Sequence, residues 1–204
     1  MIVLIAQVDN AAHFDSNILI LGETGIGKDV VIRLVHAMIP RHNKSFLIVD
    51  ATTIPEGLIE SELFGHEKGA FTGADRQKKG RLEQANKETF FFDEIGEIPK
   101  SIQVKLLRAI QERSIFRVGG TRNKTSDFRL IAAKNRNLEV EVAEGRFRED
   151  LYHRLNVLPF HVPALHDRKE DISLIAEHFL KRFTQKYHRL ELSIEPDVNE
   201  SLKQ

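Results

Sequence analysis

The chain has 204 residues, 41% of them hydrophobic, which suits one domain, or one domain and the start of another, with a true core. Thirty Lys and Arg residues balance thirty Asp and Glu residues, so net charge gives no sign of steering toward nucleic acid or an anionic membrane. The absence of cysteine excludes disulfides, thiolate zinc sites and cysteine nucleophiles, and it suits a reducing cytosol. The apolar residues 1–6 are too few for a membrane span and lack the basic flank of a signal peptide, so we expect a soluble protein.

Short β-rich runs alternate with helix-period segments, which predicts an α/β fold with a parallel sheet flanked by helices. Helices are predicted over Asp29–Met38 and from Pro99 to Glu112, because apolar residues recur on one face of each. A long amphipathic helix is predicted from Glu170 onward, and another from Pro196. The predicted strands are Ile18–Leu21, Phe46–Asp50, Phe90–Asp93, Phe128–Ala133 and Val157–Val162.

The first predicted strand leads into a glycine-rich loop, Gly22-Glu23-Thr24-Gly25-Ile26-Gly27-Lys28, and a predicted helix follows that loop. Glycines let successive backbone N–H groups face a phosphate, and the helix N-terminus adds partial positive charge. Lys28 adds a full charge suited to the β- and γ-phosphates. A glycine turn with a chance lysine is the alternative, and the flanking strand and helix disfavour it. Asp29 stands where most phosphate loops carry Ser or Thr for magnesium.

An apolar strand that ends in two acids, Asp93 and Glu94, resembles a Walker B element. Open α/β sheets bind ligands at strand ends, so this pair is predicted to lie near the phosphate loop. Asp93 would orient Mg²⁺ through bound water, and Glu94 would polarise the water that attacks the γ-phosphate of ATP. By itself, a solvated acidic pair at a strand terminus is the alternative.

Between these elements, Glu62-Leu63-Phe64-Gly65-His66-Glu67-Lys68 precedes the hexapeptide Gly69-Ala70-Phe71-Thr72-Gly73-Ala74. The hexapeptide has no acid, base or nucleophile, but its backbone can turn tightly and present one aromatic ring. A flexible surface loop is the alternative for the hexapeptide alone. The whole run closely resembles the signature of bacterial enhancer-binding activators, the AAA+ ATPases that remodel sigma-54 RNA polymerase. The resemblance implies that the hexapeptide contacts the sigma factor.

Two later segments resemble the same family. The run that ends in Lys134-Asn135-Arg136 resembles the sensor-one strand, which implies that Asn135 hydrogen-bonds the attacking water or the γ-phosphate. The run from Gly145 to Asn156 resembles the arginine-finger helix, with Arg148 and Arg154 on its two finger positions. Fingers supplied by a neighbouring subunit imply a homo-oligomer, and the family resemblance implies that this oligomer is a hexameric ring. An exposed helix with Arg–Glu and Arg–Asp pairs is the alternative for this segment.

Several residues depart from the family pattern. Asp50 replaces an Asn that switches the catalytic glutamate between poses, and an ionised Asp would repel Glu94. Lys134 replaces a Thr and brings a charge near the proposed phosphates, and Lys87-Glu88 replaces two glycines before a strand. Asp50 and Lys134 leave open an alternative function, a nucleotide-responsive regulatory binding module with weak or lost hydrolysis.

The resemblance covers about residues 15 to 185 and implies a P-loop NTPase of the AAA+ type. It implies a nucleotide-binding subdomain over residues 1–168 and the beginning of a truncated helical lid over residues 169–204. The expected activity is cytoplasmic ATP hydrolysis, with ATP and Mg²⁺ bound, coupled to remodelling of the sigma-54 RNA polymerase holoenzyme. Enhancer DNA would be bound only through a domain absent from this chain, as would any receiver domain of a two-component-type response regulator. No membrane contact and no zinc site are expected.

Overall fold

The computed structural model of the chain describes residues 2–23, 25–134, 137–187 and 193–202. Within these residues the helices are α1 (Ile2–Ala12), α2 (Lys28–Met38), α3 (Glu56–Phe64), α4 (Arg81–Gln84), α5 (Lys100–Glu112), α6 (Leu138–Ala143), α7 (Glu149–Leu155), α8 (Lys169–Tyr187) and α9 (Pro196–Ser201). The strands are β1 (Ile18–Leu21), β2 (Phe46–Asp50), β3 (Gly65–His66), β4 (Lys78–Lys79), β5 (Thr89–Asp93), β6 (Ser114–Phe116), β7 (Asn123–Thr125), β8 (Arg129–Lys134) and β9 (Leu158–His161). Short 3-10 turns lie at Ala51–Thr53, Ile95–Glu97 and Leu165–Arg168. The chain divides into two compact units, Ile2–Val162 and Pro163–Gln204.

A five-stranded sheet, in the order β2-β5-β8-β1-β9, forms the centre of the first unit. All neighbouring strands in it are parallel, and β8 lies between β1 and β5. The carboxyl end of β1 leads into the glycine-rich loop, and the carboxyl end of β5 carries the two acids. The predicted α/β fold with a parallel sheet is therefore confirmed, and each predicted strand is one of these five.

Helices cover both faces of the sheet. Strand side chains alternate between the faces, so Leu19 and Leu130 join the core that includes residues of α3 and α5. Ile18 and Ile131 join the core that includes residues of α1 and α2. Burial on both sides explains why these strands appear in the sequence as continuous apolar runs. The predicted helices α2 and α5 are confirmed, whereas α1 is not among the predicted elements.

The chain enters β5 through a strained backbone at Lys87. This residue has φ of 68°, in the left-handed region that costs a non-glycine residue roughly 1–2 kcal/mol. Its N–H donates to the carbonyl of Asp127 at 2.6 Å, and the N–H of Glu88 donates to the carbonyl of Ala85 at 2.9 Å. These contacts hold the turn in place, so β5 begins at Thr89 without the two glycines that the family pattern has here.

Replacing Lys87 by Gly is expected to raise the free energy of unfolding by about 0.5–1 kcal/mol. Relief of the left-handed strain, roughly 1–2 kcal/mol, exceeds the extra backbone entropy that glycine loses on folding, roughly 0.5–1 kcal/mol. Urea denaturation followed by circular dichroism measures the change. Lys87→Ala is the matched control, because alanine keeps the strain and loses the same side chain. A Lys87→Gly variant no more stable than Lys87→Ala contradicts the assignment of strain.

The second unit consists of a 3-10 turn and two helices within its described residues. Arg168 of the turn lies 3.6 Å from the carboxylate of Asp171 in the first turn of α8. Phe179, Phe183 and Tyr187 follow one another along one face of α8, with successive ring centroids 6.4 and 6.2 Å apart. No helix in the described part of the chain is long and apolar enough to cross a membrane.

Candidate functional site

The glycine-rich loop after β1 holds the side chain of Lys28 through its backbone carbonyl groups. Gly25 and Gly27 have φ of 80° and 88°, which a side chain would strain, and Gly27 is the N-cap of α2. The buried Lys28 ammonium donates to the carbonyl oxygens of Gly22 at 3.0 Å and Glu23 at 3.1 Å. The loop thus holds a cation beside the N-terminus of an 11-residue helix, an arrangement suited to a phosphate anion.

The remaining loop residues predicted from the sequence follow the same path. Ile26 is half-buried, and Glu23 and Asp29 are exposed. Asp29 lies in the first turn of α2, immediately after Lys28. The predicted loop residue Thr24 and the predicted sensor residue Asn135 lie outside the described residues.

The acidic pair lies at the same edge of the sheet as the loop. The Asp93 carboxylate accepts a hydrogen bond from the N–H of Glu94 at 3.0 Å. Burial raises the pKa of Asp93 above its ordinary value, the neighbouring Asp50 raises it further, and Lys28 lowers it. Because Asp93 interacts electrostatically with both Lys28 and Asp29, the fold brings together the loop and the acid that the sequence motifs single out.

Glu94 has an unusual backbone conformation for a residue that is not glycine. Its φ of 50° and ψ of 47° lie in the left-handed region, and it begins the 3-10 turn Ile95–Glu97. Such a conformation costs of order 1–3 kcal/mol, and strained residues cluster at functional sites. The strain at Glu94 is therefore an observation independent of the sequence motif, and it agrees with the role predicted for this residue.

Asp50 and Lys134, the two departures from the family pattern near this edge, are both held by neighbouring segments. The Asp50 carboxylate accepts hydrogen bonds from the Thr52 N–H at 2.8 Å and the Thr52 hydroxyl at 2.7 Å, and so caps the turn Ala51–Thr53. Lys134 is only 1% exposed, and its Nζ lies 3.1 Å from the position that a Cβ on Gly96 would occupy. The Lys134 charge therefore lies against the turn that follows Glu94.

A cavity of about 270 Å³ adjoins the glycine-rich loop. It is lined by the loop residue Gly22, by Lys134 and His161 at the ends of two strands, and by side chains of α6 and α7. Among these, the Tyr152 hydroxyl donates to Glu139 at 2.8 Å. Burial raises the pKa of Tyr152, and the hydrogen bond to Glu139 raises it further.

The two predicted finger arginines lie at opposite ends of α7. Arg148 is the N-cap of this helix, and its guanidinium makes two hydrogen bonds to the Asp150 carboxylate, at 2.9 and 2.6 Å. These bonds lower the pKa of Asp150 below its ordinary value. Arg148 is thus ion-paired within its own chain, as the alternative interpretation of this segment anticipates.

Arg154 lies near the amino-terminal ends of the sheet strands, opposite the glycine-rich loop. It is exposed, and its backbone carbonyl accepts a hydrogen bond from the Asn17 side-chain amide at 3.0 Å. Asn17 precedes β1 and Gly22 follows it, so at about 3.3 Å per strand residue the two ends are roughly 16 Å apart. The structure therefore does not bring Arg154 to the glycine-rich loop of its own chain.

The hexapeptide Gly69–Ala74 forms a compact turn. The N–H of Gly69 donates to the carbonyl of Ala74 at 2.9 Å, and the N–H of Ala74 donates to the carbonyl of Phe71 at 3.0 Å. The Phe71 ring is 40% exposed and lies edge-to-face on buried His66, with centroids 5.0 Å apart. The turn therefore presents one partly exposed aromatic ring, and it rests on an ordered base.

A buried arginine and two partly buried glutamates hold the base of this turn, and the sequence did not predict their pairing. Arg117, which is 5% exposed, donates to both carboxylate oxygens of Glu83 at 2.8 and 2.7 Å. It also donates to Glu67 at 3.1 Å, and Glu67 accepts a second bond from Gln77 at 2.6 Å. No sequence pattern distinguishes these charged residues from solvated ones, because the two pairings span 34 and 50 residues of chain.

Comparison with known proteins agrees with these observations. The family described as "Sigma-54 interaction domain" matches residues 1–161. The Nif-specific regulatory protein of Azospirillum brasilense is 49% identical over 185 residues, 91% of this chain and 30% of the relative. The regulatory protein LuxO of Vibrio cholerae is 48% identical over 204 residues, 100% of this chain and 38% of the relative. The chain thus spans between a quarter and a half of the length of these relatives.

Solved structures show the same architecture. NtrX from Brucella abortus, in a structure with ATP, is 38% identical with a TM-score of 0.90, covering 100% of this chain and 46% of that chain. The P-loop NTPase domain of a sigma-54 activator from E. coli is 14% identical with a TM-score of 0.53, covering 78% of this chain and 92% of that chain, and it supports the fold alone. This chain therefore belongs to the sigma-54 interaction domain family, the AAA+ type of P-loop NTPase found in sigma-54-dependent transcriptional activators.

Proposed function

We propose that this chain hydrolyses ATP and uses the energy to contact and remodel the sigma-54 RNA polymerase holoenzyme, which activates transcription. One observation carries the proposal: Lys28 and Asp93, distant in sequence, follow or end parallel strands of one sheet and influence each other electrostatically at the carboxyl ends of those strands. A cation at a helix N-terminus beside a strand-end acid is the arrangement that holds and cleaves a nucleoside triphosphate.

The residues from Gly22 to Asp29 would bind the triphosphate, with Lys28 moving from the loop carbonyls to the β- and γ-phosphates. Asp93 fits a magnesium site, since Mg²⁺ is commonly bound by one or two carboxylates together with waters and substrate phosphates. The ion would neutralise charge that develops on the phosphate oxygens. Glu94 would accept a proton from the attacking water, and Asn135 would sense the γ-phosphate.

We further propose that the active form is a homo-oligomer, a hexameric ring, in which Arg148 and Arg154 act at the neighbouring subunit's nucleotide. The position of Arg154 supports action between subunits, because it lies at the sheet edge opposite its own phosphate loop. Arginine suits this task because its guanidinium stays charged and binds phosphate oxygens through two parallel hydrogen bonds.

The Gly69–Ala74 turn would contact sigma-54, with Phe71 and Thr72 at the contact. The partly exposed Phe71 ring supports this role, because aromatic side chains anchor protein interfaces.

The nucleotide-binding subdomain would span residues 1–168 and the helical lid would begin at residue 169, where α8 starts. Enhancer DNA would be bound by a domain outside this chain, and the site of action would be the cytoplasm, where RNA polymerase works.

Phosphate release measured across a range of protein concentrations tests the proposal in the full chain. Activity per subunit is expected to rise with concentration, because each site needs a finger from its neighbour. The competing function is a nucleotide-responsive binding module with weak or lost hydrolysis, which the buried Lys134 beside the Glu94 turn favours. Nucleotide binding without phosphate release at every concentration would support the module and contradict the ATPase.

A further inference from the structure

Gln103 is a polar side chain in the buried face of α5. It is 0% exposed, and its neighbours on that face are apolar residues such as Ile102 and Leu106. An amide in such a place costs free energy unless hydrogen bonds replace those it makes with water. A glutamine at this position therefore needs hydrogen-bond partners inside the protein.

The Gln103 amide is bonded through both of its polar atoms. Its Nε2 donates to the carbonyl of Ile98 at 3.0 Å and to the carbonyl of Arg146 at 3.1 Å. Its Oε1 accepts from the backbone N–H of Arg148 at 2.9 Å. One side chain therefore joins two backbone segments that are more than forty residues apart.

The two segments are the ones that carry the proposed hydrolytic acid and the proposed finger. Ile98 directly follows the 3-10 turn Ile95–Glu97, which Glu94 begins. Arg146 and Arg148 lie at the entry to α7, and Arg148 is its N-cap. Gln103 thus fixes the backbone of Arg148 relative to the acid turn of the same subunit.

The side chain of Arg148 is held separately from its backbone. The guanidinium bonds to Asp150, and both side chains are close to half exposed, so this pair can exchange for another anion. The buried bond from Gln103 leaves the Arg148 Cα in place during such an exchange. Rotation about side-chain bonds then redirects the exposed guanidinium without moving the backbone.

We propose that Gln103 is a positioning residue for Arg148. It fixes the backbone position and direction from which this arginine reaches the triphosphate of the neighbouring subunit. This inference rests on the proposed function. Each subunit would offer Arg148 to the neighbouring subunit's site and keep its acid turn at its own site. Because Gln103 bonds to both segments, the finger and the acid turn of one subunit move together.

The test uses Gln103→Met in the full chain, a substitution of similar length that removes all three hydrogen bonds. The ATPase rate of the assembled variant is expected to fall about 10²-fold, since a displacement of about 1 Å at a reacting group can cost that much. The affinity of a single subunit for a fluorescent ATP analogue is expected to stay unchanged, because the phosphate loop is untouched. Gln111→Met is the matched control, because Gln111 lies exposed on the same helix.

Mixed rings separate positioning from a general structural effect. Subunits with Gln103→Met keep every proposed nucleotide-binding side chain but offer a misplaced finger, whereas subunits with Glu94→Gln offer a correct finger but cannot hydrolyse. Mixing the two inactive proteins is expected to restore ATPase activity well above the average of the separate proteins. Arg148→Ala mixed with Glu94→Gln is the reference pair and is expected to be restored in the same way.

The outcomes are distinguishable. If Arg148→Ala is rescued by mixing and Gln103→Met is not, Gln103 acts within its own subunit and the inference is wrong while the proposed function stands. If neither is rescued, the finger between subunits fails, and the inference fails with it. Gln103→Glu keeps the size and the oxygen acceptor, so it serves where Gln103→Met does not fold, with the same rescue expected and its absence equally decisive.

Discussion

Replacing Glu94 by Gln is expected to lower the turnover number for ATP hydrolysis by about 10²–10⁴-fold, the usual contribution of a general base. The amide has nearly the same shape as the carboxylate, but it cannot accept a proton from the attacking water at neutral pH. Nucleotide binding is expected to persist, because Lys28 and the glycine-rich loop are unchanged. Phosphate release gives the turnover number, and titration with a fluorescent ATP analogue gives the affinity.

Glu97→Gln is the matched control for this variant. Glu97 belongs to the same 3-10 turn and is exposed, so the same chemical change three residues later is expected to leave turnover intact. Sustained hydrolysis by Glu94→Gln would remove Glu94 from the proposed role. A loss of ATP binding instead of turnover would show that this carboxylate supports the shape of the site rather than the proton transfer.

Replacing Thr72 by Ala is expected to weaken sigma-54 binding strongly while ATP hydrolysis continues. The backbone bonds of the Gly69–Ala74 turn and the contact of Phe71 with His66 remain when the Thr72 side chain is shortened. A loss of affinity would then come from the contact between Thr72 and sigma-54. A central interface residue contributes about 2 kcal/mol or more, which corresponds to roughly 30-fold in affinity.

Fluorescence anisotropy of labelled sigma-54 measures this affinity, with an analogue of the hydrolysis transition state bound to the ring. Thr125→Ala is the matched control, since Thr125 is exposed on β7, outside the hexapeptide. Thr72 is preferred to Phe71 for the test because Phe71 also packs on His66, so its removal would alter the turn as well as the contact. Unchanged sigma-54 binding by Thr72→Ala would contradict the assignment of the hexapeptide as an effector.

Much of the fold could be predicted from the chain because its strands are buried on both faces. In β8 every side chain is buried, so the strand appears as a run dominated by apolar residues. The helix α5 could be predicted because its apolar residues recur on one face. In contrast, β3 and β4 have only two residues each, too few for any periodicity, so no local pattern in the sequence indicates them.

Some site residues could be predicted and others could not, for a related reason. The phosphate loop has a signal in its own spacing, because successive glycines and a lysine must follow one another for the backbone to surround a phosphate. The pairing of Arg117 with Glu83 and Glu67 has no such spacing, and neither does the bond from Gln103 to Arg148. A buried polar residue looks the same in a sequence as a solvated one.

The parallel α/β architecture, the glycine-rich loop, the acidic strand end and the family could be predicted before the structure, since the signal for each lies in residues close together in the chain. Three relations are visible only in the folded chain: Lys28 influences Asp93, Arg154 lies at the amino-terminal end of the strands, and Gln103 bonds to Arg148. Those relations depend on the order of strands in the sheet and on the packing of α5 against α7. Contacts between distant segments form only when the whole core closes, so no local pattern encodes them.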